Sequence, residues 1–553
     1  MRDVLTAGRA RLFAAAAWAV CLAEGALAAA TWKGNATGNF ILDLAANWDG
    51  SVWGGTICTV GSQPQRPLAI SNGTFFGGAR LHYSGAFAVT NDFGEGRSLE
   101  NVGPGGTNGN ALQLLGGVEL VQVSGGIEAV SSTAYKGSYV WSDSCLTLDG
   151  PGVWFHQNTG SLWLNRHYDD DAAFVAHPKL IVRNGASLTV DGALIISGDA
   201  AYVCVMGQGS KLAAKDISLG ENANLETQAM TNLLRIADSA EGTAQTVNVG
   251  SVSPHSVLEI DGGALTVSGG LGLGNGGEAA SNCAVRITSG GTLAVEGGTA
   301  IGYRADGERA RLVARGTGSA FTSAGEVSVR GEKVLFSATE GASITVPKMT
   351  VHNLAVEGTL NYGSIYLNQG GDALAFTNAA ATGTRIEMTA SSAIHLFNTH
   401  LTLTSGIFMM GDGNGGNAEN NALKRDVYVG GTDTWVQVSA SNGFWVRGTS
   451  TTLHVDIPSE GFSDSHPVFD LKKIVFGSES HRLRVELSAD KRLSGRPETY
   501  TLFRTSMDNS CQSEQIEWIV PDSEMVAIGI DKSVPNEVRL RVKKRGELKI
   551  IIR

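Results

Sequence analysis

The sequence predicts an all-β chain wound into a right-handed parallel β-helix. Three observations carry that prediction: a gapless internal repeat, apolar residues alternating with a period of two, and abundant glycine beside scarce proline.

Residues 262–274 read GGALTVSGGLGLG and residues 290–302 read GGTLAVEGGTAIG, an offset of 28 residues. Gly262, Gly263, Leu265, Val267, Gly269, Gly270 and Gly274 recur as Gly290, Gly291, Leu293, Val295, Gly297, Gly298 and Gly302, and Val285 recurs as Val313. A shared period of this size marks stacked units, each leaving an apolar face that only its neighbour buries. Leu265 and Val267, Leu271 and Leu273, Val285 and Ile287, and Leu293 and Val295 are two residues apart, so each pair lies on one face of a short strand. Those faces point inward, and Thr266, Ser268, Ala294 and Glu296 point outward. GASLTV at 185–190, GASITV at 341–346 and KLAAKDISLG at 211–220 repeat the theme more loosely.

The chain holds 72 Gly against 12 Pro, with 17% charged residues, which suits short strands joined at glycine corners better than helices. No tryptophan occurs between Trp163 and Trp435, as expected of a thin core filled by Val, Ile, Leu and Ala. A β-sandwich or propeller would also use short alternating strands, but the gapless offset and the lack of regular hairpin dipeptides weigh against both.

In chain order, residues 1–28 read as an export signal. Arg2, Arg9 and Arg11 precede the apolar run Leu12–Leu22, and Ala26-Leu27-Ala28 supplies the small-residue pattern for cleavage after Ala28 or Ala30. The run is about half the ~20 apolar residues that a membrane span needs. Trp18, Ala19 and Val20 ahead of Cys21 do not make a lipoprotein signal. Residues 29–64 form a lead-in or N-terminal cap containing Trp32, Trp48 and Trp53, residues 65–480 the β-helix coils, and residues 481–553 a C-terminal β-rich cap built from RLRVELS, TYTLFR, VRLRVKK and LKIIIR. Both ends of such a helix need covering, because bare strand edges template aggregation. No later segment is apolar and long enough to span a membrane, so the mature chain is expected to lack a transmembrane segment.

The formal net charge is −11, and removing the signal, which carries +1, leaves −12. This balance speaks against nucleic acid as a partner, since backbone contacts need clustered Lys and Arg. The one basic cluster, Arg541–Arg545, reads as a solvated strand edge. Five cysteines remain beyond the signal, Cys58, Cys145, Cys204, Cys283 and Cys511, none in C-x-x-C spacing. They read as small buried residues of the coils. No cofactor and no metal is predicted: Asp169–Asp171 on a strand would point alternately, and GDGNGGNAENN at 411–421 lacks the G-G-x-G-x-D order of calcium nonapeptides.

The GGxLxVxGGxxxG units resemble the repeats of autotransporter-type passenger and adhesin β-helix proteins, including the autotransporter-associated and PEP-CTERM-associated groups. The segment TWKGNATGNFILDLAANWDG at 31–50, with Trp32, Asn47 and Trp48 as landmarks, is similar to the lead-in of such exported proteins. The resemblance covers the opening and about 183–350, and it implies a passenger-like fold displayed outside the cell or on the surface of a Gram-negative-type bacterium, with the periplasm as the other compartment. The tail 481–553 is too short for the C-terminal membrane barrel of a self-translocating passenger.

Polar and aromatic residues concentrate at 135–177. Tyr139, Trp141, Trp154, His156, Trp163, His167, Tyr168, Asp169 and Asp171 are the candidate glycan contacts, because aromatic faces stack on sugar rings and carboxylates bond hydroxyls. The competing reading is that these aromatics pack at the base of a long loop. No G-x-S-x-G elbow, H-E-x-x-H helix or phosphate loop is present, and no carboxylate pair recurs along one face. The expected function is therefore a non-enzymatic, adhesin-like or structural protein offering an extended surface to polysaccharides or to host or cell-surface glycans. The rival is a carbohydrate-active β-helix enzyme, a polysaccharide lyase or glycoside hydrolase centred on 135–177, since the same architecture serves both. A surface-layer component without soluble ligand is a third class. The oligomeric state is left open by the sequence.

Overall fold

In the computed structural model the chain is almost entirely β, with parallel pairing throughout most of its length and no α-helix among the described residues. The structure describes residues 29–544 apart from 34–41, 43–46, 50–56, 62–63, 65, 70–79, 94, 96, 103–110, 131–136, 142, 165–176, 198–199, 221–230, 252–253, 275–281, 303–309, 332, 405–407, 411–422, 440–442, 490–497 and 521–525. The signal at 1–28, Trp53 and the glycine-rich stretch at 411–421 therefore lie outside the described residues. Two compact units divide the chain, Met1–Gly297 and Gly298–Arg553.

In the first unit each coil contributes three short strands, and each strand pairs in parallel with its counterpart one coil away. The coil of Cys145–Asp149, Trp154–Asn158 and Ser161–Leu164 lies on Glu119–Ser124, Gly126–Val130 and Gly137–Val140, and under Lys179–Arg183 and Ser187–Ile196. Val89, Leu120, Leu146, Leu180, Val203, Leu234, Leu258 and Val285 follow one another in register as one buried column. Burying each such side chain removes about 1.5–3 kcal/mol worth of apolar surface from water, a gain that stacking alone supplies. Leu265 pairs with Leu293 and Val267 with Val295, as the repeat predicts. The two glycines of each pair play different parts. Gly262 and Gly290 turn the corner at φ 71° and 78°, while a Cβ on Gly291 would sit 2.6 Å from the carbonyl oxygen of Ile260.

The second unit repeats the design. Leu312, Phe336, Val356, Phe376, Leu396, Val429, Val455 and Leu487 form one inward column, and Phe321, Ile344, Leu360, Ala381, Leu401, Val436, Phe469 and Phe503 another. Aromatics return in its last coils, where Phe469 packs on Phe444, Phe503 on Phe469, and Trp518 edge-on to Phe503.

Parallel pairing reaches outside the 65–480 span expected for the coils. Ala29–Trp32 pairs in parallel with Ile57–Val60 and that strand with Arg80–Ser84, while Trp48–Asp49 runs antiparallel to Ala29–Trp32. Trp48 is buried, its indole N–H donating to the Leu42 carbonyl at 2.7 Å. At the other end Leu483–Ala489 and Ile516–Ile519 still stack in parallel. Direction reverses only at Glu498–Thr505, which pairs antiparallel with Glu537–Lys544, itself antiparallel to Val526–Asp531. This hairpin is the C-terminal cap. Its charge is paired, Arg541 with Asp531 and Arg539 with Glu537, both at 2.6 Å, so the described part of the basic run serves the cap surface.

Cys58, Cys204, Cys283 and Cys511 are buried and Cys145 is half-buried. Burial pushes the Cys58 thiol up to about 12 and the Cys283 thiol to about 11, which suppresses the reactive thiolate. Iodoacetamide at mildly alkaline pH is expected to leave both unmodified in the native chain and to label Cys145 first. Peptide mass mapping checks this, and native Cys58 or Cys283 labelling as fast as in the denatured chain would refute the burial.

Candidate functional site

Alternation on Trp154–Asn158 turns Phe155 and Gln157 inward, both fully buried, and Trp154, His156 and Asn158 outward. Register places Gly126 and Glu128 beside Trp154 and His156 on one side, and Ser187 and Thr189 on the other. The Trp154 indole fills the space that a side chain at position 126 would take, which explains the glycine there. His156 Nε2 lies 3.1 Å from Asp191 Oδ2, and the Asn158 amide donates to Glu128 Oε1 at 2.9 Å. The result is an open outer face carrying one indole, one imidazole, one amide and two carboxylates across three successive coils.

The predicted residues separate into three groups. Trp154 and His156 share this face. Tyr139 and Trp163 do not: they are 5% and 6% exposed, stacked in parallel at 6.3 Å, and join Ile195 in a cluster apart from the main columns. They offer no open face, and packing is what they do in this arrangement. Trp141 is half-buried after Gly137–Val140, near the corner where Asp143 accepts from the His177 backbone at 3.1 Å. His167, Tyr168, Asp169 and Asp171 lie outside the described residues.

The second unit holds clusters that the sequence reading missed. On an outer face His395, Tyr428 and His454 stack ring on ring at 4.5 and 4.3 Å, with Glu486 next in register. Burial holds the His395 imidazole below its ordinary value, with His454 acting in the same sense and Asp426 opposing. His454 meets Asp426 through Nε2 at 3.3 Å and Glu486 through Nδ1 at 3.1 Å. Stacked in this way the rings present their edges outward, which suits hydrogen bonding more than stacking of a sugar face. Around the corner, His400, Asp433 and His466 converge. The separations along this first ladder are irregular, so no period could reveal it. The second trio is evenly spaced by 33 residues, a signal that is readable only once corners are known.

These coils and faces define a parallel β-helix protein with polar and aromatic outer surfaces. Comparison with family models, curated proteins and solved structures gave no match. No helix among the described residues is long and apolar enough to cross a membrane.

Proposed function

We propose that this chain is an exported, non-enzymatic β-helix protein that binds glycans at the cell surface or beyond it. The observation that carries the reading is the outer face on which Trp154 stands beside the Asn158–Glu128 and His156–Asp191 pairs. An indole supplies a stacking surface, and the flanking amide and carboxylates match the vicinal hydroxyls of a sugar. The export signal and the passenger-like repeats support the location. A repetitive stack gives many weak contacts along one chain, which add as avidity.

The same two carboxylates around His156 favour the enzyme as a second reading, since acid–base cleavage of a polysaccharide uses such groups. One experiment separates them. The full chain is incubated with plant, algal and mucin polysaccharides, and retention and released ends are both measured. Retention without unsaturated or reducing ends is expected, weakened about 2- to 12-fold by Trp154→Ala, the stacking contribution of one aromatic. Product release that survives in the purified chain and disappears in Glu128→Gln would replace the binder by the enzyme, and no retention at all would remove both.

A further inference from the structure

We propose that His400, Asp433 and His466 form a binding site for a borderline divalent cation of the Zn2+ class. The site stands apart from the glycan reading and does not depend on it.

Three turns of the second unit bring the trio together. His400 opens the strand His400–Leu403, Asp433 sits in the turn ahead of Trp435–Val438, and His466 precedes Phe469–Leu471, so each coil delivers one ligand to the same corner. His400 Nε2 is 3.1 Å from Asp433 Oδ2, and His466 Nε2 is 3.2 Å from Asp433 Oδ1. All candidate donor atoms lie within 4.8 Å of one another. Ligands 2.0–2.1 Å from a tetrahedral Zn2+ stand about 3.3 Å apart, so two of the three separations already fit and the third needs a small closure.

Orientation is fixed by neighbours. Trp435 stacks on His466 at 5.2 Å and meets His400 edge-on at 5.8 Å, holding both rings. The Asp433 backbone N–H donates to Asn398 Oδ1 at 3.4 Å, tying the turn to the preceding coil. His466 Nδ1 lies 3.3 Å from the Pro467 carbonyl oxygen, which can only accept, so the ring proton belongs on Nδ1. In the neutral ring Nε2 is then a bare lone pair aimed at a carboxylate oxygen. Two lone pairs facing each other repel unless a positive charge lies between them, and this backbone-fixed tautomer is the one that presents Nε2 to a metal. Two imidazoles and one carboxylate match Zn2+, Ni2+, Cu2+ or Co2+ rather than Mg2+ or Ca2+, which take oxygen shells. Three protein ligands leave at least one position for water or an exogenous group.

His454 provides the contrast. Its two carboxylate partners engage opposite ring nitrogens, so Asp426 and Glu486 cannot converge with one imidazole nitrogen on a single ion.

The test is calorimetric titration of the metal-stripped full chain with ZnCl2, with CoCl2 as a spectroscopic probe whose visible bands report coordination. One Zn2+ per chain is expected. His466→Gln, Asp433→Asn and His400→Gln should each weaken it about 10- to 100-fold, and His454→Gln should leave it unchanged. Unchanged circular dichroism in each variant ensures that a loss of binding is local. Equal affinity in all four variants, no binding by the intact chain, or displacement of Zn2+ by equimolar Mg2+ would overturn the site.

Discussion

Phe376→Ala is expected to lower the unfolding free energy of the second unit by about 3–5 kcal/mol, the cost of emptying a buried aromatic position. Phe376 is wholly buried, with Val356 and Leu396 as its register partners on either side. Alanine leaves a void bounded by strands whose hydrogen bonds fix their spacing, so neighbours cannot close it. Because each coil of a solenoid is stabilised chiefly by the next, the loss falls on one junction, and a single cooperative transition is expected to broaden or split. Phe397→Ala is the control, one residue beyond Leu396 on the opposite face, with half of its surface exposed. Its cost should stay within about 0.5 kcal/mol. Urea unfolding followed by circular dichroism measures both. If the two variants unfold at the same midpoint, the column is not the stabilising core.

How far the sequence carries can be judged from particular residues. Leu265 and Leu293 pair as their repeat demands, because inward alternation and an uninterrupted offset leave one register that buries both. The period does not persist elsewhere. Leu120 to Leu146 spans 26 residues and Leu146 to Leu180 spans 34, although all three occupy one column. A β-helix constrains strands, which must stack, and leaves corner loops free to lengthen at small entropic cost, so the repeat fades from the sequence while the column continues. The same freedom hid the corner sites. His400, Asp433 and His466 are separated by whole coils, and nothing local marks them as neighbours. Aromatic content at 135–177 located a surface correctly at Trp154 and His156, but composition cannot say which way a ring points. Tyr139 and Trp163 differ from Trp154 only in what packs over them.

Gly358→Ala tests how a continuous strand turns a corner. Asn353–Leu367 is a single strand that serves two ladders: Asn353–Glu357 pairs with Ala373–Thr377, and from Gly358 the register jumps by one, so that Asn378 is passed over and Thr359 meets Ala380. Gly358 has φ 73° at the bend, and Asn378, the extra residue opposite, has φ 48°. This is a bulge, one residue inserted to bend the ladder. A Cβ on Gly358 would fall on the carbonyl oxygen of Ala338, its register partner in the neighbouring coil. Alanine therefore meets a left-handed backbone penalty of about 1–2 kcal/mol and an overpacking cost of about 1–3 kcal/mol. The backbone cannot escape by sliding, since Val356 and Leu360 on either side are buried in their columns. Gly370→Ala makes the comparison: its Cβ meets nothing within 4 Å and its φ is not positive, so the substitution should be neutral or slightly stabilising through a stiffer unfolded chain. Thermal melts of the two variants should separate sharply, with Gly358→Ala well below the parent and Gly370→Ala at or above it. Coincident melts would mean that the corner at 358 yields without cost, and that glycine is not what lets this strand pass from one sheet to the next.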